Sequence, residues 1–236
     1  MDERNWERIG ASAGIAFVVL SLLGGFIYPQ QPRVDSGAAT TLHWVHAHRT
    51  AIQTGMVLGT FAGGIFLWFV AHLRTALSRA ERGADRLASI VFASGVAGAA
   101  LALLGGLPNL VLAYMDAQPG GLQDPAIVRM LGDLNSILFG ILVPVSMVFL
   151  TALGIAMLGG LIGSRWLGWV SLVAAACNAI TVVTSLTFST YHGAIWTIPA
   201  WAAFLGLLVV VLVLSVTMLR RAGQSTEGRP ATMAAA

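Results

Sequence analysis

The stretch LNSILFGILVPVSMVFLTALGIAML, residues 134–158, contains no charged side chain. As an α-helix it would be about 37 Å long at 1.5 Å per residue. A bilayer's hydrocarbon core is about 30 Å thick, so this one segment is long enough to cross it. Segments of a transmembrane β-barrel would instead alternate apolar and polar over about ten residues, and this run is continuous. Outward from it in both directions, similar apolar runs recur along the whole chain. The 236 residues are 57% hydrophobic and only 10% charged, against about 25% charged in a soluble domain. Mean hydropathy is +0.81. Too few polar residues are present to cover a soluble fold of this size, so the sequence reads as an all-α polytopic membrane protein.

Six spans are expected, at about 9–28, 50–71, 87–114, 134–158, 166–188 and 195–219, forming one transmembrane domain over 1–219. The tail 220–236 is small and polar, and is expected to be disordered. The flank of the first span, GGFIYPQQP, lacks a small-x-small cleavage site, so that span is read as a retained helix. All thirteen basic residues are arginine. Arg4, Arg8, Arg74, Arg79, Arg82, Arg86, Arg165, Arg220, Arg221 and Arg229 fall on one side, and Arg33, Arg49 and Arg129 on the other. This bias puts both termini in the cytoplasm of a cell whose cytoplasmic membrane holds the protein. The single cysteine, Cys177, excludes an internal disulfide.

Lipid tails are as apolar as leucine, so the helices must associate by close packing and interhelical hydrogen bonds. Gly10 and Gly14, Gly24 and Gly25, Gly59, Gly63 and Gly64, and the pair Ser94 and Gly98 are the expected notches. Pro108 is expected to bend the third span and Pro144 the fourth; Pro199 falls in the expected first turn of the sixth. Trp6, Trp44, Trp166, Trp169, Trp196 and Trp201 lie near span ends, where an aromatic belt forms.

Polar stripes carry the functional reading. Asp35 or Ser36 is placed to cap a helix beginning ahead of the second span. Along that helix His43, His46, Arg49, Thr50, Gln53 and Thr54 share about 140° of arc, while His48 points away. In span four Asp133, Ser136, Gly140, Pro144 and Thr151 share a face. In span five Ser171, Asn178, Thr181, Ser185 and Ser189 do so, followed by His192. Polar groups are costly against lipid, so such faces turn inward or toward a wet cavity. His43, His46, Arg49, Gln53, Asp133, Asn178 and His192 are therefore expected to converge on one outward-facing polar pocket. Asn109, Tyr114, Asp116 and Tyr191 lie near the same level.

Each of these residues also has a purely structural reading. The histidines suit the headgroup level, Arg49 suits a lipid phosphate or a pair with Asp133, and Asp133 complements a helix dipole. Asn178 and Thr181 suit interhelical bonding. Walker, HExxH and CxxC motifs are all absent. No cofactor is expected. A metal held by His43, His46, Asp133 and His192, or a haem between His46 and His192, is the lesser alternative.

FIYPQQP, HAHRTAIQTG and GGIFLWFVAHLRTALSRAE, within residues 9–90, resemble uncharacterised six-helix integral membrane proteins of actinobacteria. There a Pro-rich outer segment leads into a polar His-Arg stretch, and the second span ends in a Leu-Arg-x-x-Leu flank. The resemblance implies a six-helix membrane bundle and transfers no catalytic residues. The function expected is binding of a small molecule or lipid headgroup in the outer pocket. An alternative is an intramembrane enzyme acting on a lipid-soluble substrate, with Arg49 stabilising negative charge and Asp133 or a histidine as acid or base. A small transporter is the third reading, and it would need a polar path through inner halves that are mostly apolar. The lipid bilayer is the expected surrounding, and no nucleic-acid partner is expected.

Overall fold

The computed structural model describes residues 3–32, 36–121, 124–187 and 194–224. Among the described residues the regular elements are all helices: α1 (Glu3–Ile27), α2 (Ala38–Ala80), α3 (Arg86–Gly105), α4 (Leu107–Asp116), α5 (Pro125–Leu158), α6 (Arg165–Thr187) and α7 (Ala194–Gln224). They make six segments long and apolar enough to cross a membrane, α3 and α4 together forming one of them. All six expected spans are thus present. With six crossings, the start of α1 and the end of α7 lie at one end of the bundle. Most arginines lie there, and it is called the arginine end below. The other is the histidine end.

The expected and observed boundaries differ where polar turns extend a helix past its apolar run. α2 begins at Ala38 rather than 50, and its 43 residues include a kink at His48 that sets its first ten or so residues apart from the long apolar part. Gly37, with no side-chain cap, precedes it; Ser36 does not cap it, and Asp35 lies outside the described residues. α5 begins at Pro125, where the Asp124 carboxylate accepts the Ala126 N–H at 2.8 Å. α7 continues to Gln224, past the expected end at 219, and the rest of the expected disordered tail, 225–236, lies outside the described residues. The third span divides at Gly106 into α3 and α4, with Pro108 in the first turn of α4. Proline has no N–H to offer the carbonyl four residues back, so the break falls where the sequence places it. Pro144 is carried inside a continuous α5. Because α7 begins at Ala194, Pro199 falls in its second turn and not its first.

The helices form a closed ring in chain order. α1 packs on α2, α2 on α3, α3 on α5, α5 on α6, α6 on α7, and α7 back on α1. α2 also meets α5 across the middle, and α4 seats against both. A large core fills the ring, with the rings of Phe17, Phe69 and Phe149 each against that of Phe66 at 4.5–6.1 Å between centroids. A smaller core of Trp44, Val45, Ile52, Leu112, Ala113 and Val128 lies at the histidine end. Glycine lets backbones meet in the large core. At the α5–α6 crossing a Cβ on Gly154 would lie 2.8 Å from the Leu172 side chain and 3.1 Å from the Gly168 carbonyl oxygen. The Ser171 hydroxyl donates to the Leu150 carbonyl across the same crossing at 2.7 Å. Gly14 faces Phe69 and Ser215 in the same way. In α3 the tight contact belongs to Gly95, against Val70 and Phe149, and not to Gly98; Gly25 and Gly64 have open space beside them.

The arginine end is tied by polar contacts. The Glu81 carboxylate accepts the N–H groups of Leu87 and Ala88 at 3.0 and 2.9 Å, capping the start of α3. Ser78 donates to Asp85 in the same turn. Arg79 pairs with Glu7 at 3.3 Å, joining α2 to α1. Trp6 stacks on Trp68, and Trp6, Trp166, Trp169 and Trp201 are all exposed, as a belt requires. Trp44 is not part of that belt: it is 7% exposed and packed in the histidine-end core.

Candidate functional site

The chain leaves α1 through Tyr28, Pro29, Gln30, Gln31 and Pro32, and the prolines keep it from continuing as helix. This strap lies over the histidine end and is held by two amide side chains. The Asn109 amide of α4 donates to the Tyr28 hydroxyl at 2.6 Å, and the Asn135 amide of α5 donates to Gln31 Oε1 at 3.1 Å. Tyr28 lies against Gly55 of α2 and meets the Trp44 ring edge-on at 6.2 Å. Asn109 and Asn135 are 0% and 1% exposed. Each uses its N–H but leaves its carbonyl Oδ1 without a hydrogen-bond partner in the chain, as is Trp44 Nε1. Buried polar groups are nearly always bonded, so Asn109, Asn135 and Trp44 leave two acceptors and one donor here that the fold itself does not use.

Beside the strap is a cleft lined by Gln31, Pro32, Ser36, Thr41, Arg129, Asp133 and Ser136, among others. It holds about 20 Å³, room for little more than one water-sized group. Only a water or a group of that size fits it. Arg129 and Asp133 pair along α5 at 3.9 Å on its rim.

A second polar group lies between α2 and α4. Asp116, the last residue of α4, has a carboxylate only 7% exposed. His46 Nδ1 sits 3.4 Å from both of its oxygens, and the Arg49 guanidinium 3.9 Å from Oδ2. A carboxylate at a helix C-terminus opposes the helix dipole, so the two α2 side chains supply the compensating charge and donors. Between them α2 departs from helical geometry at His48, with φ −122° and ψ 15°. His48 Nδ1 is 2.9 Å from the Trp44 carbonyl oxygen, the acceptor that a regular helix reserves for the backbone N–H of His48. That contact requires the proton on Nδ1, and it supplies the cause of the kink.

The expected single pocket is therefore divided. Asp133 is at the cleft and does not meet Arg49, whose acid is Asp116. His46 and Arg49 form the ion cluster, and His43 is exposed. Gln53 is half-buried one turn past Arg49. Asn178 is 5% exposed on α6, whose main neighbours are α5 and α7; it is held in the helix interior rather than at the histidine-end site. His192 lies outside the described residues, and so do Ser189 and Tyr191. Among the described residues no three histidine, cysteine or acidic side chains are grouped to hold a metal. Gln31, Tyr28 and Asn135 escaped the reading of stripes. Asn135 is two residues from Asp133, about 200° around the helix, so it faces the bundle while the more conspicuous acid faces the rim.

Burial pushes the Tyr28 phenol up to about 12, against a smaller opposing effect of the Asn109 hydrogen bond. The folded chain keeps this proton at a pH where the unfolded chain, near 10, has released it. Stability from this group is complete below pH 10 and is lost as pH rises from 10 to about 12. An absorbance titration of phenolate formation should show one late tyrosine, and the Tyr28→Phe variant should lack it.

No family model matches the chain, and neither do curated proteins or solved structures. The site is thus defined by its own residues.

Proposed function

We propose that the protein is a multi-pass protein of the cytoplasmic membrane, with both termini inside, that binds a hydroxyl- or amine-bearing small molecule or lipid headgroup at its histidine end. The observation that carries this reading is the polar wall of the cleft, where Gln31, held in place by the buried Asn135 amide, stands with Ser36, Thr41 and Ser136 beside Arg129 and Asp133. Rim charges of both signs, Arg129 and Asp133, suit a polar or zwitterionic group. Native mass spectrometry of the full chain released from a mild detergent tests this. Wild type should retain a bound mass that is lost when Arg129 and Asp133 are both replaced by glutamine and asparagine. A mass lost only on replacing His46 and Arg49 would move binding to the ion cluster, and a bare protein mass would overturn the reading.

A second reading rests on the His46–Asp116 contact. A carboxylate that orients an imidazole is the arrangement of a general base, and the His46 side chain is 75% exposed. Under this reading Asp116→Asn abolishes turnover of a lipid-soluble substrate while leaving its binding intact.

A further inference from the structure

Away from the histidine end, an apolar groove of about 280 Å³ runs between α6 and α7, lined by Trp169, Val173, Cys177, Ala202 and Gly206 among others. Its lining is almost wholly apolar. Small residues make it: a Cβ on Gly206 would sit 2.7 Å from the Ala174 Cβ, and Ala202 one turn away leaves the lipid side open. The groove is near the lower end of the volumes that hold small ligands.

Two exposed arginines lie beyond its arginine end, Arg165 about 6 Å from Trp169 along α6 and Arg220 about 21 Å from Gly206 along α7. Arg165 precedes Trp169 by one turn on α6, and Arg220 follows Ala202 by 18 residues on α7. Eighteen residues are about five whole turns, so Arg220 emerges on the groove's side of its helix. Arg165 and Cys177 are about 18 Å apart along the axis of α6, close to the depth of one leaflet, about 15 Å. Trp166 and Trp169 mark the headgroup level between them. Cationic donors at one end and a leaflet-deep apolar trough behind them match a single kind of molecule. We propose that this groove seats one anionic phospholipid of the leaflet at the arginine end, its phosphate on Arg165 and Arg220 and an acyl chain along Val173, Ala202 and Gly206 toward Cys177. Guanidinium groups bind phosphate through paired, charge-assisted hydrogen bonds.

Cys177 is the chain's only cysteine and lines the groove, so its alkylation reports occupancy. The full chain in mild detergent is treated with N-ethylmaleimide while dioleoyl phosphatidylglycerol or dioleoyl phosphatidylcholine is added. The anionic lipid should slow alkylation about tenfold more than the zwitterionic one, which corresponds to about 1.4 kcal/mol. The Arg165→Gln, Arg220→Gln double variant should remove that difference, and Ala202→Phe, which fills the trough, should make alkylation slow and indifferent to lipid. Equal protection by the two lipids would mean ordinary solvation by tails and would overturn the proposal. So would no protection by either, or a phosphatidylglycerol effect that survives the arginine substitutions.

Discussion

Gly154→Leu should destabilise the folded bundle more than any other single change at the α5–α6 crossing. The α5–α6 crossing brings Gly154 to the backbone of Gly168, where a single added Cβ would already lie 3.1 Å from a carbonyl oxygen and 2.8 Å from Leu172. The leucine side chain at 172 can turn aside, but the carbonyl is fixed by its own helix. Separating the helices also breaks the Ser171–Leu150 hydrogen bond, which has no water to replace it inside a membrane. Overpacking alone costs about 1–3 kcal/mol and occasionally more; the lost interhelical bond adds about 0.6 kcal/mol. Against the small net stability of a folded chain this is a large fraction. Thermal unfolding in detergent, followed by helical circular dichroism and monodisperse elution, should show a lower midpoint for Gly154→Ala and a lower one still for Gly154→Leu. A leucine variant that elutes and melts like wild type would show that α5 and α6 do not cross there.

The second large effect is at Asp116. Arg49→Ala removes the guanidinium from a carboxylate that is 7% exposed, leaving it with His46. Breaking a buried ion pair on one side costs about 3–5 kcal/mol when both partners are buried. Arg49 is 43% exposed, so a loss of about 2 kcal/mol is the better expectation once solvent screening is allowed for. Asp116→Asn in the Arg49→Ala background should recover most of it, because the buried charge is then gone. Unfolding of the four proteins in a double-mutant cycle measures this directly. If the double variant is no more stable than Arg49→Ala, the guanidinium and the carboxylate are not coupled.

Much of the fold was readable from the sequence because a membrane simplifies the problem. An apolar run of twenty residues has few alternatives to a spanning helix, and 134–158 is found inside α5 as expected. The break near Pro108 was readable for the same kind of reason, a missing N–H with a local effect. The helix starts were not, since His43, His46 and Arg49 in α2 and Arg129 and Asp133 in α5 interrupt the apolar run that hydropathy follows. Partnerships between helices were harder still. Arg49 had two acids near its level, and nothing in spacing along one helix distinguishes Asp116 from Asp133 when each sits on a different neighbour. Of the stripe through Asn178, Ser171, Asn178 and Thr181 are buried, but α6 packs on α5 and α7 and not on α2. The regularity assumed for α2 also ended at His48, where a side chain competes for a backbone acceptor.

The closure of the ring by α7 against α1 sets an order of assembly. Each other helix meets a neighbour that has just been synthesised, but α1 receives its second neighbour only when the last helix leaves the translocon. Until then the Gly14 side of α1, which finally packs against Ser215, faces lipid or whatever escort the insertion machinery provides. A ribosome stalled within α7 would therefore hold an open horseshoe of helices with α1 exposed, the species most vulnerable to membrane proteases.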